Sequence, residues 1–159
     1  MELQGSCHCE KVKFKVKSNT PVPFMYCYCS ICRKLAGGGG YSINIMDSLE
    51  VQGMEYVKIY RGIHEKNVPK EQQDECGNRR HFCGECSAML WAYDPQWSQW
   101  CYPFASAIDT ELPVAKRPVC IMLKYKAKWA PVPTEADAFD EYPDKSIEDW
   151  HKHNKLWQE

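Results

Sequence analysis

Seven of the ten cysteines fall into three tight clusters: Cys7-x-Cys9, Cys27-x-Cys29-x-x-Cys32 and Cys83-x-x-Cys86. Immediate neighbours rarely meet the separation and dihedral demands of a disulfide, and an oxidised secreted domain spreads its cysteines as distant pairs. Clustered thiols read instead as metal ligands, and zinc is the ion that such a set suits. A Cys-x-x-Cys knuckle closes a turn that aims both sulfurs at one ion. A Cys-x-Cys in a strand puts two sulfurs on one face, because side chains alternate with period two.

Structural zinc sites take four protein ligands, whereas catalytic ones typically keep three and an open position. Seven thiols divide naturally as four and three. Cys7, Cys9, Cys83 and Cys86 would complete a closed tetrahedral set tying the first strand to a hairpin far along the chain, and closing so long a loop makes a structural staple. Cys27, Cys29 and Cys32 then form a local set of three with one position free for water or a substrate thiolate. The alternative is a second structural zinc completed by Cys76, Cys101, Cys120 or a histidine. Three cysteinates outweigh the charge of the ion, so nearby cations would help. Arg33 and Lys34 are placed by sequence to supply them or to hold a peptide carboxylate; solvated surface charge is the other reading of both.

The elements that must position these clusters read as strands. Lys11 to Lys17 alternates strictly, with Val12, Phe14 and Val16 on one face and four lysines on the other, the pattern of a half-buried strand with a solvated outer face. Further strands are expected at 40–46, 56–60, 79–83, 89–93, 103–108 and 119–125, short and separated by Gly, Pro, Asn or Asp, as in an all-β domain. Residues 131–143 are rich in proline and acid and predict an extended surface segment. Ser146 followed by Asp149 then resembles a capping box opening a helix from about Ile147 to Leu156. On that helix His151 and His153 diverge and do not suit a shared metal. Ile147, Trp150 and Leu156 or Trp157 would face the body.

Gly37 to Gly40 reads as a turn before the next strand, or as backbone able to approach a ligand closely. Trp97, Trp100, Tyr93 and Tyr102 read as packing or as pocket walls, and His64 and His81 are proton carriers by type alone. The net charge of −1 and an ordinary apolar share of 44% give no reason to expect nucleic acid or an anionic membrane as partner. Neither a secretory signal nor a membrane-spanning run is visible. With its clustered thiols, the chain is expected in a reducing compartment, the cytoplasm.

Gly5-Ser6-Cys7-His8-Cys9, Cys27-Tyr28-Cys29-Ser30-Ile31-Cys32-Arg33-Lys34 and Phe82-Cys83-Gly84-Glu85-Cys86 together resemble, in order and spacing, the glutathione-dependent formaldehyde-activating enzyme family. Ala107-Ile108-Asp109-Thr110 through Lys128-Trp129-Ala130-Pro131 resembles that family's closing segment, so the similarity covers residues 5–131. The resemblance implies a mainly β fold of the β-tent type with two zinc sites in residues 1–131. Residues 132–159 would add the extended segment and a short helix packed on the same domain. It also implies that Cys7, Cys9, Cys83 and Cys86 hold a structural zinc, and that Cys27, Cys29 and Cys32 hold a catalytic one.

The implied activity is that of a carbon–sulfur lyase, joining glutathione to formaldehyde or running in reverse, with a small thiol and a small electrophile as partners. The chain departs from the pattern at Glu10 and Ser87, where glycine is usual after a cysteine pair, and at Cys120, where histidine is common. These departures bear on substrate identity more than on the fold. A rival expectation from the same superfamily is a non-catalytic, zinc-stabilised interaction domain. A chromatin or microtubule binder would carry a basic tail, and the stretch 137–144 is acidic and mixed instead. A third expectation keeps the enzyme and changes the thiol adduct it processes.

Overall fold

A computed structural model describes residues 1–35, 40–61 and 77–159. Among the described residues, three small sheets, two short α-helices and several 3-10 turns make up the regular structure. The first sheet pairs β1 (Glu2–Ser6) with β2 (Lys13–Lys17) and β2 with β5 (Glu50–Gln52), all antiparallel. The second, of five strands, runs β4 (Asn44–Ile45), β9 (Trp100–Pro103), β8 (Met89–Tyr93), β7 (Arg79–Cys83), β6 (Val57–Arg61), also antiparallel throughout. In the third, β10 (Val119–Ile121) lies between β3 (Met25–Cys27) and β11 (Asp137–Ala138), and both pairings are parallel. Helix α1 is Ser30–Leu35 and α2 is Ile147–His153.

The alternation in β2 does what its pattern requires. Phe14 and Val16 are buried along with Val12, just ahead of the strand, and the lysines face solvent, where Lys15 pairs with Glu50 at 2.9 Å and Lys11 with Glu85 at 2.7 Å. Phe14 meets Trp91 of β8 edge to face, ring centroids 5.5 Å apart, so one aromatic contact joins the first sheet to the second. Leu3, Leu90, Phe104 and the sulfurs of Cys7, Cys32 and Cys83 belong to the same core.

A second core of Val22, Phe24, Val119, Ile121, Ile147 and Trp150 holds α2 against the third sheet. A helix of 7 residues has little stability alone. Burying a large apolar side chain is worth roughly 1.5–3 kcal/mol, and Ile147 and Trp150 are each only 8% exposed, so docking is what makes this segment helical. Trp150 stacks on Phe24 with centroids 4.2 Å apart. Ser146 caps the helix by accepting from the Asp149 N–H at 3.0 Å, as the capping pattern predicts. His151, 0% exposed, accepts from the Val22 N–H through Nε2 at 3.2 Å and donates from Nδ1 to the Ile147 carbonyl at 2.7 Å. Those two partners fix a neutral tautomer, and burial lowers the pKa of the ring.

Several expected bounds moved. The 103–108 strand lies at Trp100–Pro103, with a 3-10 turn at Ala105–Ala107. The 119–125 strand stops at Ile121 because Met122 takes a positive φ of 60° and starts another such turn. Helix α2 ends at His153, with Lys155 left-handed beyond it.

Two segments distant in sequence meet the turn at Ser18 and Asn19. The Met1 ammonium donates to the Ser18 carbonyl at 2.9 Å, and the Gln158 N–H to the Asn19 carbonyl at 3.0 Å.

Candidate active site and metal centres

The four cysteines expected to form a closed set do meet. Cys7 and Cys9 lie after β1, Cys83 ends β7, and Cys86 lies in the turn between β7 and β8. All four sulfurs are within 4.8 Å of one another. Cys7 Sγ is 3.5 Å from Cys9 Sγ, and Cys9 Sγ is 3.7 Å from Cys83 Sγ across 74 residues. A disulfide would need about 2.05 Å. Tetrahedral zinc with Zn–S of about 2.3 Å spaces its sulfurs at about 3.8 Å, so the donor set fits zinc in both type and spacing.

The loops around these cysteines are shaped to turn the sulfurs inward. The Val12 N–H donates to Cys7 Sγ at 3.3 Å, and the Ser87 N–H donates to the Cys83 carbonyl at 2.8 Å. Glu10 and Ser87, each one residue past a cysteine pair, sit in the left-handed region with φ of 60° and 63°. Glycine, which the resemblance leads one to expect at both positions, enters that region freely. This chain keeps the backbone shape with side chains that resist it.

The second set is local. Cys27 ends β3, Cys29 precedes α1 and Cys32 lies within it, so one strand end and one helical turn gather three sulfurs within 4.8 Å. The Cys32 N–H donates to Cys29 Sγ at 3.4 Å. Three sulfurs this close ionise unequally. Hydrogen bonds from Cys27 and then Cys32 hold Cys29 well below the ordinary thiol range, while donation to Cys29, donation to Cys32 and burial push Cys27 well above it. A divalent cation among them would offset the repulsion that opposes their ionising together. Among the described residues no fourth cysteine, histidine or carboxylate joins the group. Cys101 and Cys120, the described alternatives for a fourth ligand, are fully buried elsewhere, Cys101 in β9 and Cys120 in β10. Cys76 and His64 lie outside the described residues.

A cavity of about 490 Å³ opens over this second set. Cys27, Cys32, Tyr41, Arg80, Trp97 and Tyr102 line it on the side of the sheets. Tyr142, Pro143, Asp144 and Lys145 wall it from the C-terminal segment. That wall is tied down by the β10–β11 pairing, by the Met122 N–H donating to the Glu141 carbonyl at 3.1 Å, and by the docking of α2. Burial, followed by the Cys27, Cys29 and Cys32 sulfurs, raises the pKa of Tyr142, so its hydroxyl is within electrostatic reach of the set. Of the aromatics singled out in the sequence, Trp97 and Tyr102 line this cavity and Tyr93 and Trp100 do not.

The cations expected at the set are arranged differently from the one observed. Arg33 and Lys34 lie on the exposed last turn of α1 and do not line the cavity. Arg80 of β7 does, and is only 5% exposed. Its Nη2 lies 3.6 Å from Cys32 Sγ, and its Nη1 donates to the Tyr41 hydroxyl oxygen at 3.4 Å. The Tyr41 hydroxyl is in direct contact with Cys32 Sγ. Because Tyr41 accepts from Arg80, its own proton is free to point at that sulfur. Burial, with the Cys32 sulfur next, raises the pKa of this phenol well above its ordinary value, so it keeps that proton. Reading the sequence missed both residues.

Of the remaining candidates, His81 is buried, stacked on Trp91 with centroids 5.0 Å apart, and outside the cavity. Gly37 to Gly39 lie outside the described residues. At Gly40 a Cβ would come within 2.7 Å of the Pro23 backbone, so close packing requires that glycine. Among the described residues no helix is long and apolar enough to cross a membrane.

Comparison with known proteins follows the same lines. A family model described as "Glutathione-dependent formaldehyde-activating enzyme" matches residues 2–116. A Halomonas elongata protein named "Putative glutathione-dependent formaldehyde-activating enzyme" is 47% identical over 157 residues, covering 95% of each chain. A crystal structure of a Rhodobacter sphaeroides protein superposes with a TM-score of 0.51 at 18% identity, over 72% of this chain and 100% of that one, a likeness of fold. With the order of the cysteine clusters and the mainly antiparallel strands, these matches establish that this chain belongs to the glutathione-dependent formaldehyde-activating enzyme family.

Proposed function

We propose that the protein is a zinc-dependent carbon–sulfur lyase that joins a thiol such as glutathione to formaldehyde, or splits the adduct, at Cys27, Cys29 and Cys32. The observation that carries this reading is the contrast in donor number: one set offers four sulfurs, the other three, and the set of three opens into a cavity. Zinc bound by the three sulfurs would supply a Lewis-acidic position that favours the thiolate, the nucleophilic form of a substrate thiol. The chain's own residues do the rest. Trp97, Tyr102 and the Tyr142–Lys145 wall hold the body of the thiol and keep bulk water from its sulfur. Cys7, Cys9, Cys83 and Cys86, with their own zinc, keep β7 and thus the site's floor in place.

A second reading keeps this chemistry and changes the thiol adduct. It is favoured by the cavity wall at 142–145, which lies beyond the residues the family model matches.

Cobalt substitution with absorption spectroscopy tests the proposal, alongside NMR detection of the hydroxymethyl adduct from labelled formaldehyde. Glutathione should shift the cobalt bands, and the adduct should form or break faster than in buffer. Band shifts with other thiols but not with glutathione would favour the second reading. Silence toward every thiol would leave a zinc-stabilised interaction domain.

A further inference from the structure

Arg80 is an unusual residue to find buried. It is 5% exposed, and among the described residues no carboxylate pairs with it. Its Nε is buried with no hydrogen-bond partner among those residues. The guanidinium lies over the Phe104 ring at 5.6 Å, an arrangement that orients it without neutralising it. Taking a charge out of water is costly unless an opposite charge meets it, and the facing groups are the Cys32 sulfur and the Tyr41 hydroxyl, both lining the cavity.

A cation that only balanced cysteinates could sit anywhere around the set. Arg80 sits on the cavity side of Cys32, beside the place where a thiol would react. Resting on the function proposed above, we infer that Arg80, positioned by Tyr41, is a catalytic residue that holds the oxygen of the carbonyl substrate. As the thiolate sulfur bonds to the carbonyl carbon, the π pair of the C=O bond moves to oxygen. That oxygen becomes an alkoxide, held by the guanidinium, and takes a proton from water at the cavity mouth. The proton the thiol gave up leaves to solvent, so thiol plus aldehyde gives the hydroxyalkyl thioether with no other reactant. Preorganised donors aimed at a developing oxyanion act on the transition state more than on bound thiol. Arg80 should therefore govern turnover and leave thiol affinity alone.

The test compares the intact zinc protein with Arg80→Gln and Arg80→Lys, by metal content, thiol-induced cobalt bands, and kcat and KM for thiol and formaldehyde. Arg80→Gln should keep two metal ions and the band shift while kcat falls roughly 10²-fold. Arg80→Lys, which keeps charge but loses the planar fork, should recover part of that loss. Turnover within twofold of the parent in Arg80→Gln overturns the inference. So does loss of the second metal ion, since Arg80 would then serve only the cysteinates. Should Arg80→Gln fail to fold, Arg80→Lys decides: unchanged kcat overturns the inference, and a fall of about tenfold with the thiol KM unchanged supports it. A parent protein that neither binds thiol nor forms adduct removes the proposed function itself, and the inference with it.

Discussion

The two sulfur sets use the same ligand for opposite ends. The set of Cys7, Cys9, Cys83 and Cys86 draws its members from chain segments 74 residues apart and offers the four donors that a closed tetrahedral shell takes. The set of Cys27, Cys29 and Cys32 comes from one strand end and one turn of helix, and stops at three. A closed shell joining remote segments adds to folding what it gains in metal affinity. A metal held by three local donors would organise little of the fold and would keep a position for a ligand. Their surroundings differ in charge: the open set faces a cavity lined by a buried arginine, whereas the hollow of about 480 Å³ that Cys7 borders is lined by no arginine or lysine among the described residues.

The sharpest way to break this comparison is to remove one sulfur from each. Cys83→Ala should abolish the cooperative unfolding transition and both bound zinc ions, a loss of several kcal/mol on the scale of structural zinc sites. Cys29→Ala should stay folded with one zinc ion and no turnover. Circular dichroism with metal analysis reads both, and equal collapse of the two variants would dissolve the distinction.

A smaller effect separates the covers of the two sets. The wall over the open set is fastened through His151, which the fold holds neutral with a depressed pKa. Below the ordinary histidine value of about 6.5 the unfolded chain takes up a proton that the native ring refuses. The contribution of His151 is thus complete above that pH and declines as the pH drops through it. Hydrogen exchange corrected for intrinsic rates should show protection of Ile147–His153 falling between pH 7.5 and 5.5 ahead of that of β7 and β8. In His151→Gln the early loss should disappear.

Least in size is the strain in the closed set's turns. Glu10→Gly and Ser87→Gly each relieve a left-handed side chain, worth about 1 kcal/mol before the added freedom of the unfolded chain is subtracted. Denaturant midpoints should rise slightly in both, with kcat unchanged. A drop in midpoint would mean the side chains serve the turn.

Much of this was legible before any coordinates. The cysteine spacings, the buried face of β2, the strands at 79–83 and 89–93 and the capped start of α2 are local patterns, and local patterns survive folding. Strand β1 was not legible, because only Leu3 and Gly5 turn inward, too few to make an alternation. Strands β3 and β11 are recognisable only through β10, a remote parallel partner. Arg80 was hidden for a related reason. It stands between Arg79 and His81 in a strand whose register shifts between His81 and Phe82, so Arg80 and His81 are both buried in succession and period two gives no guide. The cysteine nearest to it in sequence, Cys83, belongs to the other set, so the cysteine spacings do not point to Arg80 either.

The meeting of Met1 with Ser18 and of Gln158 with Asn19 has a practical side. Whatever is joined to either end, whether a purification handle, a fusion partner or a surface tether, departs from one pole of the molecule. Asn19 lines a small hollow that shares Ile43 and Ser146 with the large cavity. Immobilisation through either end would therefore bring the support close to the rim of that cavity.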